Sequence, residues 1–180
     1  MTDVTASTAH QRGTTAKPKL SVGSEPDPRL ITLVELLFFA YRDFTGEADA
    51  VLAELGFGRA HHRVLHFVNR NPGLRVADLL GILKITKQSL ARVLKQLVDQ
   101  GYIVQAAGEF DRRERRLALT EKGTALARRL VALQTARVAE ALRTAGAGAD
   151  TSTRQFLFAM IGGRERTEVA ALIRDPELAT

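Results

Sequence analysis

Residues 74–123 read LRVADLLGILKITKQSLARVLKQLVDQGYIVQAAGEFDRRERRLALTEKG, and the fold is decided at their centre, from Thr86 to Asp99. There Leu90, Val93, Leu94, Leu97 and Val98 recur at i, i+3, i+4, i+7 and i+8, the apolar stripe of an amphipathic helix. Lys87, Gln88, Ser89, Arg92 and Lys95 fall off that stripe and form a polar face. Thr86 is the expected N-cap, because its hydroxyl can accept a bond from a backbone N–H that the helix leaves orphaned. Gly101 is the expected stop, since glycine enters the left-handed region at little steric cost.

Just upstream, Val76, Leu79, Leu80 and Leu83 make a shorter stripe, and Lys84-Ile85 leaves room only for a tight turn. Two short amphipathic helices joined this way are the sequence form of a helix-turn-helix. They are equally the form of two ordinary helices in an all-α domain, so the pair alone does not decide. The next residues do. Tyr102-Ile103-Val104 is aromatic and β-branched, and Leu117 and Leu119 alternate with small or polar neighbours, so two short strands are expected. Between them lie Gly108, Asp111 and the arginines 112, 113, 115 and 116. A hairpin with a cationic tip after a helix-turn-helix is a wing, which brings charge to phosphates or to the neighbouring minor groove.

The order helix, Gly101-Tyr102-Ile103, Asp111-Arg112-Arg113, Leu119-Thr120-Glu121-Lys122-Gly123 resembles the MarR family of bacterial transcription regulators. That family's wing carries Asp-x-Arg, followed after a short strand by Leu-Thr-x-x-Gly. The likeness spans roughly Leu30 to Ile173 and is strongest over the quoted stretch. The run from His61 to Arg70, with Ile85 to Leu90, is further similar to the PetP-type branch of α-proteobacteria. The resemblance implies a fold that is mainly α with a small β-hairpin wing, flanked by N- and C-terminal dimerisation helices. It also implies a homodimer on a palindromic operator, and a small anionic or aromatic effector held between the dimer helices and the winged unit.

Roles for single residues follow from their chemistry. Gln88 can pair with adenine through two hydrogen bonds, and Arg92 or Lys95 with guanine O6 and N7. Thr86, Lys87 and Ser89 are candidates for phosphate, assisted by the positive end of the helix dipole. In the wing, Arg113 matches the arginine of Asp-x-Arg that enters the minor groove. Asp111 would brace the hairpin, and Arg112 and Arg115 are phosphate candidates. For the effector, the candidates are Phe38, Arg42, His62 and His66, with Arg42 or a histidine meeting a carboxylate.

Outward from the centre, Thr120 should cap a long helix reaching about Thr144, with Leu126, Leu130 and Leu133 on its stripe. Residues 145–149, AGAGA, read as a turn; Phe156, Leu157, Met160 and Ile161 form a short apolar helix, and Val169, Leu172 and Ile173 a last one. On the other side, a helix runs from about Arg59 to Asn69 until Asn71-Pro72-Gly73 breaks it. Before it, Pro28 to Leu55 is a long helix whose apolar residues cover much of its girth, since Ile31, Leu36 and Phe39 lie off the main stripe of Leu30, Leu33, Val34, Leu37, Phe38, Tyr41 and Phe44. Such a helix is buried on more than one side, by a second subunit or by one large core. Residues 1–27, rich in small and polar types, read as a disordered tail. The expected organisation is thus tail 1–27, N-terminal dimerisation helix 28–56, winged helix-turn-helix 57–120 and C-terminal dimerisation helices 121–180.

Composition sets the remaining bounds. The 180 residues carry a net charge of +6, which favours a polyanionic partner, and contain no cysteine, which excludes a thiol sensor and thiolate metal sites. Neither a secretory signal nor an apolar run near the ~20 residues of a membrane span is present, so a cytoplasmic protein is expected. His62 and His66 stand four apart, but without a third ligand or an HExxH motif no metal is expected. P-loop, Rossmann and GxSxG signatures are missing too, so neither an enzyme nor a cofactor is expected. The alternative is a nonspecific architectural DNA-binding protein on the same fold. A specific regulator would prefer its site over random DNA by roughly 10³ or more.

Overall fold

The computed structural model describes residues 25–108 and 114–175. The chain divides into two units, Met1–Phe38 and Phe39–Thr180. Of the first, the described part is the opening of helix α1 (Pro28–Ala53). Proline at the first helical position has no N–H to orphan, and the Asp27 carboxylate accepts the Arg29 N–H at 2.9 Å. Leu30, Ile31, Leu33, Val34, Leu36 and Phe38 all stay exposed on this stretch, Phe38 by 70%. The tail expected over 1–27 lies, apart from 25–27, outside the described residues.

The second unit holds the core. After the rest of α1 come α2 (Arg59–Arg70), β1 (Leu74–Arg75), α3 (Val76–Leu83) and α4 (Lys87–Asp99). The hairpin β2 (Ile103–Ala107) and β3 (Arg115–Leu119) precedes α5 (Glu121–Ala145), α6 (Ala149–Met160) and α7 (Arg166–Ile173). Fully buried Leu65 from α2, Leu79 from α3, Leu97 from α4, Leu117 from β3 and Leu130 from α5 meet in one cluster. The expected helix-turn-helix and hairpin are therefore present and packed on a shared core. The strand β1 is an addition: the break at residues 71–73 was legible, but not that Leu74 and Arg75 pair with Leu117 and Arg116 to give an antiparallel sheet in the order β1-β3-β2.

One glycine is required by packing. A Cβ on Gly123, in the first turn of α5, would lie 2.0 Å from the backbone oxygen of Tyr102. That same oxygen accepts the Thr120 N–H at 3.1 Å, while the Thr120 hydroxyl donates to Gly101 O at 2.7 Å and accepts the Gly123 N–H at 3.0 Å. The Leu-Thr-x-x-Gly segment is thus a clasp: the threonine caps α5, and the missing side chain lets α5 touch the backbone where the hairpin begins.

Candidate nucleic-acid interface

Helix α4 forms as its sequence requires. Thr86 Oγ1 accepts the Ser89 N–H at 3.1 Å and donates to Ser89 Oγ at 2.9 Å. The Thr86 hydroxyl is therefore occupied by the cap, and the donors left at this helix end are Lys87, the Gln88 amide and the Ser89 hydroxyl. Leu90, Val93, Leu94 and Leu97 are buried, which turns Lys87, Gln88, Arg92 and Lys95 outward into solvent. The six sequence candidates Thr86, Lys87, Gln88, Ser89, Arg92 and Lys95 accordingly share this helix and its cap. Lys95 differs from Arg92 in being tied to Asp99 at 2.6 Å, one turn on, and would have to release it to reach a base.

The preceding turn is short because Lys84 takes the left-handed conformation at φ +51°, unusual for a residue with a side chain. Arg63 of α2 donates to Leu83 O at 3.2 Å, so the end of α3 is satisfied by a neighbouring helix. Helix α4 is stopped at Gly101, φ +73°, and the chain enters β2 through buried Tyr102. Lys122 of α5 sits 4.2 Å above the Tyr102 ring and donates to Gln100 O at 3.0 Å, closing the far end of α4 as well.

The hairpin pairs in register from Ile103↔Leu119 to Ala107↔Arg115, and Gly108 N–H donates to Glu114 O at 3.1 Å. Asp111, Arg112 and Arg113 lie outside the described residues, so the tip of the expected wing does too. Arg115 opens β3 and is exposed. At the tip end of β3 a charge cluster appears that no local pattern in the sequence signals. Arg75 and Arg116 are cross-strand partners, an unfavourable juxtaposition of like charges unless an acid intervenes. Glu114 does so, accepting from Arg75 at 3.2 Å and from Arg116 at 3.3 Å. Arg75 also forks onto both oxygens of Asp78 at 2.7 Å. Hydrogen bonds donated to Asp78 and then Glu114 hold the Arg75 guanidinium more firmly protonated, and Arg75 in turn holds the Asp78 carboxyl below the usual range. The Arg75–Asp78 spacing of three was readable as a helix-start pair; Glu114, 39 positions away from Arg75, was not.

The four effector candidates lie on α1 and α2, with His62 and His66 close enough on α2 for one to influence the other. Phe38 belongs to the first unit and is exposed. Arg42 bonds to Asp43 at 2.8 Å and lies over the Phe39 ring at 5.0 Å. His62 is buried among α2 and α5; burial first, then His66, lowers its pKa, against a hydrogen bond with Gln134 and the charge of Asp49. His66, lowered by burial and then by Arg70, borders a cavity of about 590 Å³ with Phe67, Arg70, Arg128, Leu172 and Ile173. Arg42 and His62 do not line it. Among the described residues no group of acids and histidines could hold a metal, and no helix is long and apolar enough to cross a membrane.

Known proteins resemble the chain in the same region. A model of the MarR family matches residues 55–114. The HTH-type transcriptional regulator PetP of Rhodobacter capsulatus is 48% identical over 135 residues, covering 75% of this chain and 81% of that one. An HTH-type transcriptional repressor of Mycobacterium tuberculosis is 32% identical over 96 residues, 53% of this chain and 69% of its own. A structure of that repressor with p-aminosalicylic acid covers 69% of this chain and 95% of that one, at 29% identity and a TM-score of 0.51. Streptococcus pneumoniae FabT, solved in complex with DNA, shares the fold at a TM-score of 0.66 and 18% identity, over 73% of this chain and 94% of its own.

Proposed function

Because this chain belongs to the MarR family of transcription regulators, we propose that it reads a specific operator as a homodimer, with α4 in the major groove. The observation that carries this is the outward face of α4. Lys87, Gln88 and Arg92 stand exposed on one capped helix whose opposite face is fixed to the core. A rigid helix offering an amide and a guanidinium meets the geometric demand of paired hydrogen bonds to adenine and guanine edges. The dipole and Lys87 favour phosphate at its start. Arg112, Arg113 and Arg115 would extend the contact from the wing, with Asp111 bracing it.

Homodimerisation is supported by apolar side chains that the single chain leaves uncovered, from Leu30 to Tyr41 on α1 and at Phe156, Leu157 and Met160 on α6. A two-fold dimer would need an imperfect palindrome with half-sites roughly 34–36 Å apart. An effector is supported by the p-aminosalicylic acid complex of the mycobacterial relative and by the groove at His66. There Arg70 and Arg128 offer charge to a carboxylate, and Phe67, Leu172 and Ile173 offer apolar surface to its body. Such a ligand acts only through a difference in affinity between two dimer geometries. Repression, the role in the mycobacterial relative's name, is the expected sense of regulation.

The test is selection of genomic fragments by the purified protein at near-physiological salt, followed by footprinting. A palindromic footprint is expected, with release of the DNA by salicylate-type acids. Recovery of fragments without a shared motif would move the protein to architectural DNA binding.

A further inference from the structure

Gln96 is a polar residue of α4 that is turned away from the exposed face, and its amide is bonded at both ends. Nε2 donates to Gly56 O at 3.1 Å, and Oε1 lies 2.9 Å from His61 Nε2. The other imidazole nitrogen, Nδ1, accepts the Gly58 N–H at 3.1 Å. A backbone N–H can only donate, so Nδ1 must carry the lone pair and Nε2 the proton. The order of bonds is then fixed along its length: Gly58 to His61, His61 to Gln96, Gln96 to Gly56. His61 stands at the third position of α2 and reaches back to the helix cap, a place usually held by Glu or Gln.

The ring is also held by packing. It stacks on buried Phe57 at 4.8 Å and 15°, and Phe57 meets Tyr102 edge-on at 5.1 Å. Residues 56–58, in the connection between α1 and α2, are thereby bonded to α4 and packed against the start of the hairpin. The apolar stripe of α4 resists its removal from the core but tolerates small rotations and slides, because dispersion contacts have little directionality. The His61–Gln96 pair is directional and lies beside the stripe, where it resists such a rotation.

We infer that His61 and Gln96 are a positioning pair that sets α4 against the α1–α2 connection and thereby governs discrimination between operator and random DNA. This rests on the reading of α4 as the recognition helix. Neither residue need touch DNA. Base pairing through two hydrogen bonds fails when the helix tilts, whereas phosphate contacts by long cationic side chains follow the tilt, so specific binding is lost before nonspecific binding.

The test uses the full-length protein and the selected operator duplex beside a scrambled duplex. Asn at position 61 places its amide near the site of Nδ1 and keeps the Gly58 bond only; Gln places its amide near the site of Nε2 and keeps the Gln96 bond. His61→Asn is expected to lower operator affinity about tenfold, the worth of one lost hydrogen bond, and Gln96→Met, which also loses the bond to Gly56 O, by at least as much, while affinity for scrambled DNA stays within about twofold. His61→Gln should restore most of the loss, and the double variant His61→Asn/Gln96→Met should be no weaker than Gln96→Met alone. Equal losses on both duplexes, or a double variant that multiplies the two effects, would overturn the inference. Nitrogen-15 spectra of the imidazole in the DNA-free protein give a readout independent of operator binding. They should show a protonated Nε2 whose shift moves in Gln96→Met; a protonated Nδ1 or an unmoved shift refutes the pairing. A wild-type protein without operator preference would instead sink the reading of α4 itself, and the spectra would still decide whether the pair exists.

Discussion

Helices α4 and α6 are nearly equal in length, 13 and 12 residues, yet they meet the rest of the chain in opposite ways. Helix α4 buries four apolar side chains and shows solvent a polar face. Helix α6 buries none, and Phe156, Leu157 and Met160 are each about half exposed. Its cap residue is Gly148, with no side chain to offer, whereas α4 has the Thr86 hydroxyl. The difference separates two kinds of amphipathicity. One is satisfied inside the chain and leaves a surface with hydrogen-bonding information; the other remains open and asks for a partner surface.

The strongest way to break the α4 side is to push apart the contacts that seat it and the hairpin. Gly123→Val should cost about 4 kcal/mol or more, because the new side chain meets a backbone oxygen that cannot step aside, and urea unfolding would measure it. A loss below about 1 kcal/mol would show that the α5 clasp is loose. Next in size is a paired deletion across the two helices. Leu97→Ala should cost about 3 kcal/mol of folding stability, since Leu97 has no exposed surface. Leu157→Ala should change monomer stability by less than about 0.5 kcal/mol but weaken self-association measured by sedimentation. Equal folding costs at the two positions would erase the contrast between α4 and α6.

A smaller effect is expected at the cap. Thr86→Ala should cost about 1 kcal/mol, through the bond to the Ser89 N–H, with the helix fraying at the end that points Lys87 and Gln88 outward. Thermal melts with and without operator would separate its cost to the fold from its cost to binding. The least effect is one of pH. Burial lowers the pKa of His62 and His66 in the folded protein from the ordinary 6.5, so as pH falls the unfolded chain takes up protons first. Their contribution to stability is full above the ordinary value and declines as pH drops below it toward the folded values. The urea midpoint should be lower at about pH 5.5 than at about pH 7.5, and His62→Gln should reduce that difference. A midpoint that rose on acidification would contradict the burial of both rings.

Much of the candidate interface was legible in the sequence. The period of Leu90 to Leu97, the cap at Thr86 and the stop at Gly101 are contacts within one turn, and local sequence suffices for them. The same holds for Thr120 at the start of α5, though the reason for Gly123 three residues later lay in the distant Tyr102 carbonyl. The effector candidates Phe38, Arg42, His62 and His66 were linked by no spacing, and the groove at His66 also carries Arg128 of α5 and Leu172 of α7.

By itself the sequence determined the run of helices, the caps of α4 and α5, the two hairpin strands, the outward polar face of α4 and the family, because periodicity and capping act over a few residues. Tertiary structure alone decided that Leu74-Arg75 forms a third strand, that Glu114 separates Arg75 from Arg116, and that His61 is bonded to Gln96. Arg75 and Glu114 stand 39 positions apart and His61 and Gln96 35, and polar side chains at such separations carry no period. Only the packing of the apolar core brings them to hydrogen-bonding distance, where direction and charge then choose the partner.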